Sequence, residues 1–140
     1  MARNSNSALR KHLYPGPRLA LGQWLAENRL ATAMMDLSDG LSTDLPRLCG
    51  ASRVGARIDT DCLPVCTLAK RKDAIELALH GGDDYELLFT VNARKTSRVP
   101  SRFHGVSLTH IGEITKERKI VMWMDGRDRP LRAGGWDPFR

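Results

Sequence analysis

Two acidic turns stand out from an otherwise ordinary scatter of charge. In AMMDLSDGLSTDL (33–45) an apolar run stops at Asp36, and Ser38, Asp39 and Gly40 follow before any periodic pattern resumes. In GGDDYELLF (81–89) two glycines precede Asp83, Asp84 and Glu86, three carboxylates within four residues. Carboxylates beside a hydroxyl at a strand-to-helix turn are the hard oxygen donors that Mg2+ takes, and a helix start adds amide donors for a phosphate. An EF-hand loop starting at Asp36 is excluded, because Gly40 falls one place early and Arg47 occupies the position of the bidentate Glu. The plainer reading is capping, with Ser38 or Asp39 accepting amide protons at the start of the next helix. Capping accounts for one of these residues rather than for both aspartates, and spacing alone leaves it and metal–phosphate binding open.

For the second turn the plain reading is solvated charge. These carboxylates run directly into an apolar strand, however, so some should be held, and like charges so close favour a nearby cation or cationic ligand. A third stretch, GGWDPF (134–139), sets Trp136 between glycines and Asp137-Pro138. That indole either packs on the core or offers a flat face to an aromatic or cationic ligand. His12, His80, His104 and His110 show no ligand-type pairing, and Cys62 and Cys66 lack companions for zinc, so these are read as structural.

The elements that position these groups follow from periodicity. Pro17 suits the opening of a helix, and Leu21, Trp24, Leu25 and Leu30 give it an apolar stripe. Residues 31–36 read as a short strand ending in the first acidic turn. A helix with Leu41, Leu45 and Leu48 on one face follows, and Pro46 inside it should kink it or remove a hydrogen bond. Val54, Ala56 and Ile58 alternate as in a strand. Residues 67–80 form the clearest helix, with Ala74, Ile75, Ala78 and Leu79 on its apolar side, and Gly81 and Gly82 should end it with positive φ. DYELLFTV reads as a buried strand with Leu87, Phe89 and Val91 on one face. Residues 106–115 and 119–124 read as two more strands joined by a turn at KERK, and Asp125-Gly126 as a tight turn. Without a clean βαβ repeat the class is α+β, a mixed sheet packed with helices.

The bulk properties are those of one domain: 140 residues, 41% hydrophobic and 27% charged. Residues 1–11 read as a flexible arm and 12–140 as a single domain. No stretch has the length of a membrane span or the form of a signal peptide. Three cysteines cannot all pair, which suits a reducing, cytoplasmic setting. The net charge of +6 is spread evenly: residues 1–70 hold nine Lys/Arg against six Asp/Glu, and residues 71–140 thirteen against ten. Basic clusters lack interleaved aromatics, so a nucleic-acid partner is not expected, whereas an evenly basic surface suits phosphorylated small molecules.

Taken together, MMDLSDGLSTDL, GARIDTDCLPV, ALHGGDDYELLFTV and GGWDPF resemble, in order, the C-terminal half of the thiamine-monophosphate kinase family, within the aminoimidazole ribonucleotide synthetase superfamily. YPGPRLALGQWLAE resembles the stretch leading into that domain, so the likeness spans residues 12–140. Selenophosphate synthetase shares the fold, but SDGL together with GGDDYELLF points to the thiamine kinase branch. The resemblance implies ATP-dependent phosphorylation of thiamine monophosphate to thiamine diphosphate. It maps Mg2+ binding onto Asp36 and Asp39, an ATP contact onto Ser38, and substrate contacts onto Asp83 and Trp136. Asp83 stands where the family more often has Glu, one methylene longer. Direct transfer between phosphates needs no general base, so no catalytic side chain is assigned. The family's N-terminal domain, with further Mg2+ aspartates, most of the nucleotide site and much of a homodimer interface, is not represented in these residues. The isolated chain is therefore expected to be inactive. The alternative is a non-catalytic module of the same fold that binds Mg2+–phosphate ligands or mediates dimerisation.

Overall fold

The computed structural model describes residues 13–65 and 70–136. The expected arm at 1–11, residues 67–69 of the expected 67–80 helix, Cys66 and the end of GGWDPF lie outside the described residues; Lys70 is the N-cap rather than part of that helix.

Helix α1 (Leu19–Glu27) opens two residues after Pro17, and Leu21 and Leu25 from its apolar stripe are buried with Leu30. Trp24 lies tilted against Phe103 at 5.1 Å between ring centroids, closing this smaller core. Strand β1 (Ala31–Asp36) alternates half-buried and exposed residues, as the period of a one-sided strand requires. Helix α2 (Leu41–Ser52) runs unbroken through Pro46. Lacking an N–H, Pro46 makes no bond to the carbonyl four residues back, so the helix loses one rung rather than its continuity. Strand β2 (Gly55–Asp59) leads into a 3-10 turn, Thr60–Cys62. Helix α3 (Arg71–His80) buries Ala74, Ile75 and Leu79.

Strand β3 (Leu87–Val91) is shorter and less buried than DYELLFTV suggests, since every residue in it is only half-buried. The reason is its sheet: among the described residues β3 pairs antiparallel with β1 alone, with Asp36 opposite Leu87. Its two faces touch different cores, Leu87 and Phe89 the smaller and Leu88 the larger, and neither is fully covered. After a 3-10 segment, Ala93–Arg98, come the short hairpin strands β4 (Arg102–Phe103) and β5 (Val106–Ser107), then β6 (Gly112–Thr115), β7 (Ile120–Met124) and β8 (Arg127–Pro130). The second sheet has the order β6-β2-β7-β8, with β2 and β7 parallel and the other neighbours antiparallel. The α+β class with a mixed sheet is therefore as expected.

KERK does join β6 to β7, but the two strands are not neighbours. β6 and β7 flank β2 on opposite sides, so residues 116–119 carry the chain over the end of β2. Local alternation could not show that a third strand lies between the two. Asp125 (φ 52°) and Gly126 (φ 76°) do turn β7 into β8.

The larger core gathers Leu41, Leu45 and Cys49 of α2, Ala56 and Ile58 of β2, and Ile75 and Leu79 of α3. Each buried Leu or Ile contributes about 1.5–3 kcal/mol relative to exposure. This packing fixes the start of α2 beside the end of α3, which brings the two acidic turns together. Cys49 is a buried free thiol, raised above its ordinary pKa by burial, and Cys62 is exposed and free.

Candidate functional site

The three motifs singled out in the sequence meet at one place, joined by backbone hydrogen bonds. The Asp83 amide donates to the Ser38 carbonyl (2.9 Å), and the Tyr85 amide donates to the Leu37 carbonyl (2.8 Å). In return Leu37 donates to the Glu86 carbonyl (2.9 Å), extending the β1–β3 pairing past the regular strands. The Trp136 amide donates to the Asp39 carbonyl (3.1 Å), bringing the far end of the described chain to the first acidic turn.

Gly81 and Gly82 end α3 without positive φ, contrary to expectation; Gly81 sits at −67°. They are needed for closeness. A Cβ on Gly82 would stand 2.8 Å from the Ser38 carbonyl, and one on Gly81 2.5 Å from the Leu77 carbonyl. The left-handed conformations fall one and three residues after Gly82, at Asp83 (φ 63°) and Tyr85 (φ 49°). Asp tolerates that region, whereas a bulky Tyr there is a genuine outlier, held by the bonds to Ser38 and Leu37. Asp83 and Tyr85 consequently both face solvent, and the Tyr85 hydroxyl donates to Asp83 Oδ1 (3.2 Å). That bond and the Asp83 charge, with Asp36 and Asp39 contributing further, raise the Tyr85 phenol above its ordinary pKa.

Neither Ser38 nor Asp39 caps α2. The N-cap is Gly40, at φ 103°, and it makes no side-chain cap bond. The relation is reversed: Asp44, in the helix's first turn and fully buried, accepts the amides of Ser38 and Asp39 on one oxygen (3.0 Å each). Its other oxygen accepts from Arg47 Nη1 (3.0 Å), and the same guanidinium donates to Asp39 Oδ2. Arg47 therefore holds the Asp39 carboxyl below the usual carboxylate range, helped by the Ser38 hydroxyl and opposed by partial burial. Asp44 and Arg47 escaped the sequence reading, Asp44 within the quoted motif itself. A signal existed, because an Asp one helical turn after a polar loop can fold back on that loop's amides.

In the second acidic turn Glu86 is held, as expected of some of these carboxylates. Arg18, at the start of α1, grips it through two parallel bonds of 2.8 and 2.6 Å. Trp136 does not enter the core; its side chain is 62% exposed beside the acidic turn.

Asp36 is exposed at the end of β1, and Asp39 keeps 18% of its side chain accessible. No group of three His, Cys, Asp or Glu stands ready to hold a metal among the described residues. Asp36 and Asp39 are carboxylate donors of the type Mg2+ takes, one or two at a time, together with phosphates and water.

The fold and this loop arrangement place the chain in a family. Residues 3–125 match the AIR synthase related protein, C-terminal domain, and the chain belongs to that family. Within it the chain is similar to thiamine-monophosphate kinases. It is 38% identical to that of Escherichia coli (strain K12), over 99% of this chain and 44% of the relative. It is 41% identical to that of Salmonella typhimurium, over 94% of this chain and 42% of the relative. A crystal structure of the thiamine-monophosphate kinase from Stenotrophomonas maltophilia K279a superposes with a TM-score of 0.73 at 34% identity, over 92% of this chain and 42% of that one. AaThiL complexed with AMPPCP and TMP superposes with a TM-score of 0.74 at 26% identity, over 96% of this chain and 42% of that one. The chain thus spans less than half the length of the relatives it matches.

Proposed function

We propose that this chain is the C-terminal part of an ATP-dependent kinase that phosphorylates thiamine monophosphate to thiamine diphosphate. The observation that carries the reading is the junction of the three motifs. Asp83 and Trp136 are tied by their own amides to Ser38 and Asp39 of the metal-type turn. A site for phosphoryl transfer needs both substrates' groups in one place, because positioning and charge neutralisation do most of the work. The similarity to thiamine-monophosphate kinases, and to a structure holding AMPPCP with TMP, supports the same substrates here.

In this reading Asp36 and Asp39 hold Mg2+, which supplies charge neutralisation between phosphates, and Ser38 contacts ATP. Arg47 is the cation that pairs with Asp39 in this structure. Asp83 and Trp136 take the thiamine moiety, a carboxylate and an indole face for a cationic thiazolium and an aromatic pyrimidine. Asp83 is shorter than Glu, and the Tyr85 hydroxyl bonded to it extends the polar reach of the same loop. The accepting phosphate is already an anion, so no general base is assigned. The homodimer and the cytoplasmic location rest on the family likeness; among the described residues no helix is long and apolar enough to cross a membrane.

Calorimetry of thiamine monophosphate binding to this chain, with Mg2+ and AMPPCP present, tests the reading. It is then repeated with the chain joined to the amino-terminal part of the Escherichia coli relative. Binding should fall in Trp136→Ala with AMPPCP affinity unchanged. Absence of thiamine monophosphate binding in both forms refutes the kinase reading and leaves the non-catalytic module.

A further inference from the structure

Trp136, like Asp83, lies in no regular element, and the structure shows what holds its segment. We propose that Ser42 and His80 form a latch that fixes the 134–136 segment over the acidic turn, making both positioning residues for Trp136. Ser42 is fully buried in the first turn of α2, and its hydroxyl oxygen accepts the Gly134 amide (3.2 Å). The same oxygen lies 2.8 Å from His80 Nδ1, at the last residue of α3. With the ring proton placed on Nε2, which faces Glu76 at 3.5 Å, the Ser42 hydroxyl donates to Nδ1 while accepting the Gly134 amide. This assignment leaves no proton of the chain Gly134–Ser42–His80 without an acceptor.

The segment is also fitted by shape. A Cβ on Gly134 would stand 2.6 Å from His80 Nδ1, and one on Gly135 1.9 Å from the Asp39 carbonyl. Only glycines let the backbone lie flat on the imidazole and on the turn. One residue later the Trp136 amide reaches the Asp39 carbonyl. The latch thus joins the start of α2 and the end of α3 to the segment that presents the indole.

The proposal deepens the substrate role given to Trp136, but its primary test does not depend on that role. In the 140-residue chain, solvent exchange of the Trp136 amide is measured by NMR, with 5-fluorotryptophan signals reporting the indoles of Trp24, Trp123 and Trp136. Ser42→Ala and His80→Leu should speed Trp136 exchange about fivefold, the factor one ordinary hydrogen bond is worth, and shift its fluorine signal alone. His80→Asn keeps an acceptor where Nδ1 lies and should restore wild-type exchange, whereas Gly134→Ala should release the segment with both side chains intact. Unchanged exchange in both Ser42→Ala and His80→Leu overturns the latch, as does equal loss in His80→Asn and His80→Leu. If Trp136→Ala leaves thiamine monophosphate affinity unchanged while the exchange results hold, the substrate reading fails and the latch stands.

Discussion

Replacing Asp44 with Asn preserves volume at a fully buried position and removes only charge and one acceptor face. In the native protein a single carboxylate oxygen receives the amides of Ser38 and Asp39, both at 3.0 Å. A hydrogen bond to a charged acceptor contributes about 1 kcal/mol more than one to a neutral acceptor, so the two bonds together lose about 2 kcal/mol. If Asn turns its oxygen to these amides, its NH2 group faces the Arg47 guanidinium, donor against donor, which acts in the same direction. Turning the other way abandons both amides. The loss of a negative charge from the first turn of α2 adds a smaller unfavourable term. Urea unfolding followed by circular dichroism should therefore show the midpoint falling by about 1 M at unchanged slope, given about 2 kcal/mol per molar for a domain of this size. A midpoint within about 0.3 M of wild type would refute the claim that Asp44 anchors the turn. Asp44→Ala should cost more, because two amides then lose their acceptor altogether.

Pro46→Ala should stabilise the fold by about 1–3 kcal/mol, since it returns an N–H to the interior of α2; a lowered urea midpoint would show that Pro46 is favoured by its surroundings. The Tyr85 phenol, raised chiefly by its bond to Asp83, favours the folded state below the ordinary tyrosine pKa and loses that preference as pH rises through the higher folded value. Absorbance at 295 nm should accordingly show a tyrosine titrating above about 10, and Asp83→Asn should bring that phase down; no change in Asp83→Asn would dissociate the two groups. In the joined kinase Asp39→Asn should abolish most turnover while circular dichroism and the urea midpoint stay close to wild type, and wild-type turnover would contradict the metal role.

Much of the fold was readable locally. The run 31–36 and the leucines at 41, 45 and 48 carry strand and helix periods strong enough to survive without context. The acidic motifs were legible because carboxylates so close together are costly unless a cation is near, and their companionship with GGWDPF pointed to one family. KERK joins two strands as its pattern suggests, but which strands pair is a long-range choice: two consecutive strands can leave a gap that β2 fills from about sixty residues earlier in the chain. The glycines after α3 were assigned the wrong reason, since only the tertiary fold shows the Ser38 carbonyl pressing on Gly82.

By itself, then, the sequence determined the helices, strands β1 to β3 and β7, the α+β class, the family, and the acidic and hydroxyl residues of the first turn; the 106–115 run, read as one strand, divides into β5 and β6, and β4 and β8 carry no local pattern that marks them. The tertiary structure decided who holds whom. It turned Asp44 back onto the amides of Ser38 and Asp39, gave Glu86 to Arg18, and set Gly134 on Ser42 and His80. Local patterns reflect energies between near neighbours, whereas these partners lie up to 92 residues apart. A buried polar group must find an acceptor somewhere, but where it finds one depends on packing across the whole chain.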